Sequence, residues 1–432
     1  MSDRMWFEDD REFWVKSAGS ASRGMHSAIV NPHITFTGTN SLLDFINLMS
    51  YKIGNEDKRV LIVVDKDLRK YAEEIANVLI NKKRIDCEIF DNVFPDAPKS
   101  TVMEGVKRCS DFKPKAIVAI GGGSALDTAK LIFLLYEQPK VNLNYLIPAV
   151  LLGLREKIKF LVAIPTTSGT GSEVSFNCVM LDDERDPPKK ISVTSYELCP
   201  DYVVLYEPFV QSMPKFLTMG TGMDAFAHAA GAYVLTMSNE YTDMHNLKAI
   251  ELILKYLPRA VKRGDDMEAR RKMQLAAYIA GTGFINVSAG IEHSLGHSFG
   301  GLFHVHHGVS VGLFISASIA YQSKITNRFV DIAKLFEIET ENRKIDDILR
   351  DLLEGIQDFM QSVECPTSIA ELKRPDVNRE DYMNKLDIMT DYAYLDVPTL
   401  FSSRGLDKKQ IKRLFEICYD NKIDDLMGLF YK

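Results

Sequence analysis

The apolar periodicity of this chain changes character once, near residue 208, and that change sets what it can fold into. From about residue 29 to 207, short apolar runs alternate with segments at helical spacing. Residues 60–64, 86–90, 116–120, 160–164 and 202–206 read as strands, and the run Val60-Leu61-Ile62-Val63-Val64 is that of a buried strand. Residues 67–81, 100–110 and 124–136 carry helical spacing between them. Strand–helix alternation of this kind predicts a parallel sheet with helices on both faces. Beyond about residue 210, helical spacing dominates, over 239–263, 267–285, 328–336, 345–362 and 408–419. A chain of 432 residues has material for two such cores. We therefore expect an α/β domain over 1–208 and an all-helical domain over 209–432. Residues 1–28, which hold both tryptophans, Trp6 and Trp14, form a polar arm ahead of the first.

The second half concentrates the histidines. Asp224 and His228 stand four apart, as do His293 and His297, and His307 follows shortly after. Residues four apart on a helix share a face, about 6 Å from one another. Two such pairs on facing helices can converge on one ion, and imidazoles with a carboxylate suit zinc or ferrous iron. The alternative is a set of satisfied core histidines beside a helical Asp. His304 and His306 read as surface or substrate-side residues, and His26, His33 and His245 as structural ones.

Two turns in the first half favour an anion. Ala116–Ile120 runs into Gly121-Gly122-Gly123-Ser124, a strand, a glycine turn and a helix start, with Ser124 a candidate helix cap. A plain tight turn explains the same residues. Pro165-Thr166-Thr167-Ser168-Gly169-Thr170 is a second small-residue turn after a strand, read equally well as a hydroxyl-rich β-turn. Asp65 closes an earlier strand and suits either a ribose hydroxyl pair or a helix cap. Neither GxGxxG nor GxxxxGK[ST] occurs, so a dinucleotide is not held in the usual way.

Bulk properties narrow the classes. A net charge of -7 argues against nucleic acid. Six scattered cysteines without a CxxC pair read as reduced thiols, which points to a cytoplasmic protein. The acidic start is unlike a secretory signal, and the most apolar stretch, 309–321, is too short and too rich in serine to span a bilayer.

The motifs GGGSALDTAK (121–130), PTTSGTGSEV (165–174), GMDAFAH (222–228), HSLGH (293–297) and HHG (306–308), in this order and spacing, resemble the iron-containing, or group III, alcohol dehydrogenase family. The resemblance runs from about Asn31 to the C-terminus. It implies a Rossmann-like α/β domain for a dinucleotide and a helical metal-binding domain, with cofactor and metal meeting in a cleft. It implies that Asp224, His228, His293 and His307 hold the metal, Fe(II) with zinc as the alternative, and that His297 sits beside the ion as a proton relay or a packed neighbour. Gly122, Gly123, Ser124, Thr166, Thr167 and Thr170 would meet the pyrophosphate and nicotinamide ends, with Asn177 and Lys190 as further contacts. Asp65 falls where the family binds the adenosine ribose, and its charge would repel a 2′-phosphate, favouring NAD over NADP.

The chain departs from the family at Pro95-Asp96-Ala97-Pro98, which makes Asp96 a candidate adenosine-side contact, and at Asp396–Arg404. The activity implied is hydride transfer between a small alcohol or aldehyde and NAD(H), in a homodimer or larger homo-oligomer. A dehydroquinate-synthase-like lyase and a catalytically silent metal-binding scaffold are the competing readings. The absence of Lys and Arg from 285–312 disfavours the lyase, which would handle a phosphorylated sugar.

Overall fold

The computed structural model describes residues 28–55, 57–143, 151–185 and 189–431. The expected N-terminal arm, with Trp6, Trp14 and His26, lies outside them. One compact unit is Val30–Met213 and another holds Pro214–Lys432.

The described residues of the first unit carry eight strands: β1 (Ile34–Thr37), β2 (Arg59–Val64), β3 (Asp86–Phe90), β4 (Ala116–Gly121), β5 (Phe160–Pro165), β6 (Asn177–Asp182), β7 (Lys189–Thr194) and β8 (Tyr202–Leu205). Four helices, α1 (Ser41–Lys52), α2 (Arg69–Lys83), α3 (Lys99–Phe112) and α4 (Gly123–Glu137), alternate with them. Six strands form one sheet in the order β1-β8-β5-β4-β2-β3, and every pair in it is parallel. The continuous apolar runs follow from burial on both faces. Val60, Ile62 and Val64 of β2 pack with Phe45 of α1 and Ile75 of α2, while Leu61 and Val63 are equally inaccessible on the opposite face.

The chain steps outward from β2 to β3, then returns to lay β4 on the other side of β2. The order therefore reverses between β2 and β4. The crevice beyond the carboxyl ends of those two strands is where open parallel sheets take their ligands.

Four elements of the first unit escaped the periodicity: α1, β1, β6 and β7. β1 is a half-buried edge strand. β6 and β7 form a separate antiparallel hairpin, with Asn177 opposite Thr194 and Asp182 opposite Lys189.

The second unit is helical, as its spacing predicts. Its helices are α5 (Lys215–Tyr233), α6 (Glu240–Lys262), α7 (Met267–Ile285), α8 (Ile291–Phe303), α9 (His307–Gln322), α10 (Phe329–Leu335), α11 (Ile345–Ser362), α12 (Arg379–Asn384), α13 (Leu386–Leu395), α14 (Val397–Leu400), α15 (Lys408–Cys418) and α16 (Ile423–Tyr431). α5 is buried from Thr218 to Tyr233, on every face rather than along one stripe, and α9 is buried from Gly308 to Gln322. Their crossing is tight. A Cβ at Gly308 would lie 1.9 Å from the carbonyl oxygen of Gly220, so only glycine fits there. That contact seats His307, the first residue of α9, against α5. Among the described residues, no helix is long and apolar enough to cross a membrane.

Candidate functional site

The two turns of the first unit are built against each other. Gly121 has φ +154°, and a Cβ there would meet the Ala125 side chain at 2.5 Å. Cβ atoms at Gly122 and Gly123 would each come 3.2 Å from a methyl group, of Thr167 and of Thr170 respectively. The Thr166 N–H donates to the Gly121 carbonyl at 3.0 Å, joining the end of β5 to the end of β4. The start of α4 is thus a bare glycine backbone walled by threonines, with the positive end of the helix dipole facing outward.

Ser124 is not the cap expected from the sequence. Gly122 holds that position without a side-chain hydrogen bond, and Ser124 Oγ instead accepts from the Asp96 N–H at 3.3 Å. Asp96 has φ +63° and receives the Lys190 Nζ at 2.8 Å. Ser124, Asp96 and Lys190, far apart in sequence, therefore meet. Asp65 sits at the end of β2, its carboxylate 3.5 Å from where a Gly121 Cβ would be. It heads a short 3-10 turn, and the backbone N–H groups of Asp67 and Leu68 lie against its carboxylate. Burial pushes its carboxyl above the ordinary value.

A buried clamp holds the second turn in place. Lys130 of α4 reaches the carbonyl oxygens of Ser172, Ser175 and Asn177 at 2.7, 2.8 and 2.9 Å, and also both serine hydroxyls. Asp127 accepts from Ser172 Oγ at 2.7 Å and from the Val179 N–H at 3.0 Å. Asn177 is held through its backbone, and its buried Oδ1 has no hydrogen-bond partner. Asp127 and Lys130 stood inside a recognised motif without a role. Their i, i+3 spacing on a buried helix face is the signal that could have found them.

In the second unit, Asp224 is the centre of the histidine cluster. Its Oδ1 lies 3.8 Å from His228 Nδ1, 3.7 Å from His293 Nε2 and 3.2 Å from His307 Nε2. Asp224 and His228 come from α5, His293 from α8 and His307 from the start of α9, so three helices supply the four groups. The ligand atoms of Asp224, His228 and His293 all lie within 4.8 Å of one another, which fits a cation, while His307 approaches them through Asp224 Oδ1. Four donors about 2.1 Å from one ion at tetrahedral corners stand roughly 3.4 Å apart. Among the described residues, buried Asp224 Oδ1 and His293 Nε2 find no well-aligned hydrogen bond, an arrangement costly in a protein interior unless something else engages them. Burial works to raise the Asp224 carboxyl, yet the imidazoles, His228 and His307 first, hold it well below the carboxylate range.

Asp224, His228 and His293 are 2–5 % exposed, whereas the His307 side chain is 44 % exposed. His228 is sandwiched between Phe284 and His293, with ring centroids at 4.0 and 4.5 Å. His293 turns its other nitrogen away, Nδ1 lying 2.9 Å from Glu292 Oε1.

His297 is placed beside the cluster rather than in it. Its ring stacks on His307 at 5.2 Å, and its Nδ1 lies 2.6 Å from Asp396 Oδ2. Burial works to raise the Asp396 carboxyl, and His297 more than offsets it, so that carboxyl stays below its usual value. His306 is half-buried, packed on Gly220 and edge-on to Phe216, so it is not simply a surface residue. His304 is exposed and closes α8 in a left-handed conformation. His245 bonds back to the Tyr241 carbonyl at 2.7 Å, and His33 lies 3.5 Å from Asp201. Sequence reasoning missed Glu292 and Asp396, the carboxylates behind two of these histidines.

The profile of a family described as iron-containing alcohol dehydrogenase matches residues 32–207, and the profile of that family's C-terminal part matches residues 218–419. The chain belongs to the iron-containing alcohol dehydrogenase family. This agrees with the resemblance read from its motifs. Similar to this family member, at 31% identity over 392 residues, is the NADPH-dependent butanol dehydrogenase of Clostridium saccharobutylicum, with 90% of this chain and 97% of that protein covered. Aldehyde-alcohol dehydrogenase 2 of Entamoeba histolytica is also 31% identical, over 395 residues, but the match takes in 84% of this chain and only 44% of that protein. A crystal structure of 1,3-propanediol oxidoreductase shares the fold of this iron-containing alcohol dehydrogenase, with a TM-score of 0.82 at 26% identity, covering 91% of this chain and 99% of the other.

Proposed function

We propose that this chain is a metal-dependent alcohol dehydrogenase and aldehyde reductase that exchanges hydride between a small alcohol and NAD(H). The observation that carries this reading is the meeting of Asp224, His228, His293 and His307 around one buried carboxylate oxygen. When bound, a divalent cation supplies Lewis acidity to the alcohol oxygen and a nicotinamide supplies the hydride acceptor. Asp224, His228, His293 and His307 would hold the cation. Ferrous iron is favoured by the family, although the ligand set alone suits zinc as well.

His297 has the geometry of a proton relay. Its Nδ1–H donates to Asp396, which leaves Nε2 able to take a proton, and its side chain is 44 % exposed, so the proton can pass to water. In the first unit, Gly122, Gly123 and Ser124 offer backbone N–H groups to a pyrophosphate, bounded by Thr166, Thr167 and Thr170. Lys190, Asp96 and Asn177 line the same crevice. Asp65 supports NAD over NADP, because its carboxylate accepts ribose hydroxyls and repels a 2′-phosphate. Butanol in the name of one relative and propanediol in that of another support a short-chain alcohol as substrate. The lack of Lys and Arg over 285–312 argues against a phosphorylated substrate.

The test is metal analysis of anaerobically purified protein, followed by NADH absorbance with a panel of short alcohols and aldehydes. One equivalent of iron, turnover with at least one alcohol, and loss of both in His293→Ala with nucleotide binding retained are expected. Stoichiometric zinc in active enzyme would replace iron in this account. A loaded protein inert toward every alcohol and aldehyde would leave only a metal-binding scaffold.

A further inference from the structure

Glu292 is 0 % exposed, and among the described residues its ion-pair partner within 4 Å is His293. Its Oε1 accepts from the Gly290 N–H at 2.9 Å and lies 2.9 Å from His293 Nδ1, while Oε2 accepts from Ser318 Oγ at 2.6 Å. The helices make room for it. A Cβ at Gly231 on α5 would lie 2.2 Å from Oε1, and one at Gly290, just before α8, would lie 2.3 Å from Oε2. α5, α8 and α9 thus each give up side-chain volume or a hydroxyl to lodge one carboxylate. No substrate can touch a group so enclosed. A carboxylate buried without Lys or Arg is costly to keep for packing alone, since an apolar side chain would fill the space more favourably.

We propose that Glu292 is a positioning residue for the metal centre, a carboxylate built in to orient His293 and strengthen it as a donor. An Nδ1–H donated to Glu292 fixes the proton on that nitrogen. Nε2 is then the lone-pair nitrogen, and it is the one that faces Asp224 Oδ1 at 3.7 Å. A ligating imidazole whose second nitrogen is bonded to a carboxylate is held in one tautomer and one ring orientation, and it becomes a stronger base toward the cation. This inference rests on the reading of the Asp224–histidine cluster as a metal site.

The experiment is Co(II) binding to metal-free full-length protein, followed by competition with a chelator and by the visible ligand-field spectrum. Glu292→Ala is expected to weaken Co(II) binding about 100-fold. Glu292→Gln keeps the volume and an acceptor for Nδ1–H but removes the charge, so about tenfold is expected. The spectrum should be disturbed in Glu292→Gln as well as in Glu292→Ala, because Gln preserves the packing and removes only the charge, a change that loss of packing alone does not predict. If Glu292→Ala does not fold, Glu292→Gln decides alone, and affinity within twofold of wild type overturns the inference. Wild-type protein that takes up no Co(II) sinks the metal reading, and this inference with it. Loaded wild type with equally loaded variants overturns only the role of Glu292.

Discussion

In the proposed reading, single side chains set the choice between NAD and NADP and the handling of the proton. The Asp65 carboxylate stands beside Gly121 at the end of β2, so its charge bears on whatever occupies the crevice there. Asp65→Gly should raise the NADP-to-NAD ratio of kcat/KM by at least about tenfold, the effect of relieving about 1.4 kcal/mol of repulsion. An unchanged ratio removes Asp65 from the adenosine end. Asp396 bears on His297 alone among the cluster histidines through a direct bond, at 2.6 Å. Asp396→Asn should lower kcat about 100-fold while bound metal stays at wild-type level, because general acid–base contributions are of that order. A kcat within threefold of wild type would show that His297 does not depend on this carboxylate. Spacing makes Asp224 with His228, and His293 with His297, legible as two same-face pairs, whereas the choice of His307 over His297 as the fourth donor comes from the family resemblance. Glu292 and Asp396 were not legible, because one reads as an ordinary acidic residue in a helix's first turn and the other lies 99 residues from its partner.

At the scale of elements, the turn after β5 depends on α4. Removing the Lys130 ammonium would strand three carbonyl oxygens and two hydroxyls in a dry place. Lys130→Met should cost about 3–5 kcal/mol in urea unfolding and weaken nucleotide binding with it. A loss under about 1 kcal/mol would mean that the turn holds itself. Glu173, buried in the same turn, has its carboxyl pushed up to about 7 from 4.5 by burial. Between those values the folded protein keeps a proton that the unfolded chain has released, so stability falls as pH rises through that window. Glu173→Gln should therefore stabilise by up to about 3 kcal/mol above pH 7 and by nothing below pH 4.5. A gain that is flat with pH rejects the buried carboxyl as its source. Periodicity revealed most strands of the six-stranded sheet because β2, β4, β5 and β8 are dry on both faces and read as solid apolar runs. It missed the β6–β7 hairpin, where Asn177-Cys178-Val179-Met180-Leu181-Asp182 shows no clean alternation, and it gave no faces to α5 and α9, which are buried all round.

For the whole molecule, the proposed reading assigns two ligands to two different units, and each should stabilise its own. Metal added at 100 times its Kd should contribute about 2.7 kcal/mol to the helical unit, seen as slower hydrogen exchange in α5, α8 and α9. NAD should slow exchange in 121–130 and 165–177 instead. Metal-dependent protection of the sheet with none in those helices would put the ion elsewhere. The switch from alternating to purely helical periodicity was readable along the chain, but which histidine faces outward was not, because that depends on how α9 is seated at Gly308. The answer bears on metal traffic. Among the described residues, three of the four donors are buried and His307 is exposed, with the exposed His297 stacked on it. Metal loading and loss to chelators are expected on that side of the cluster, and a molecule lying across the two imidazoles would slow both.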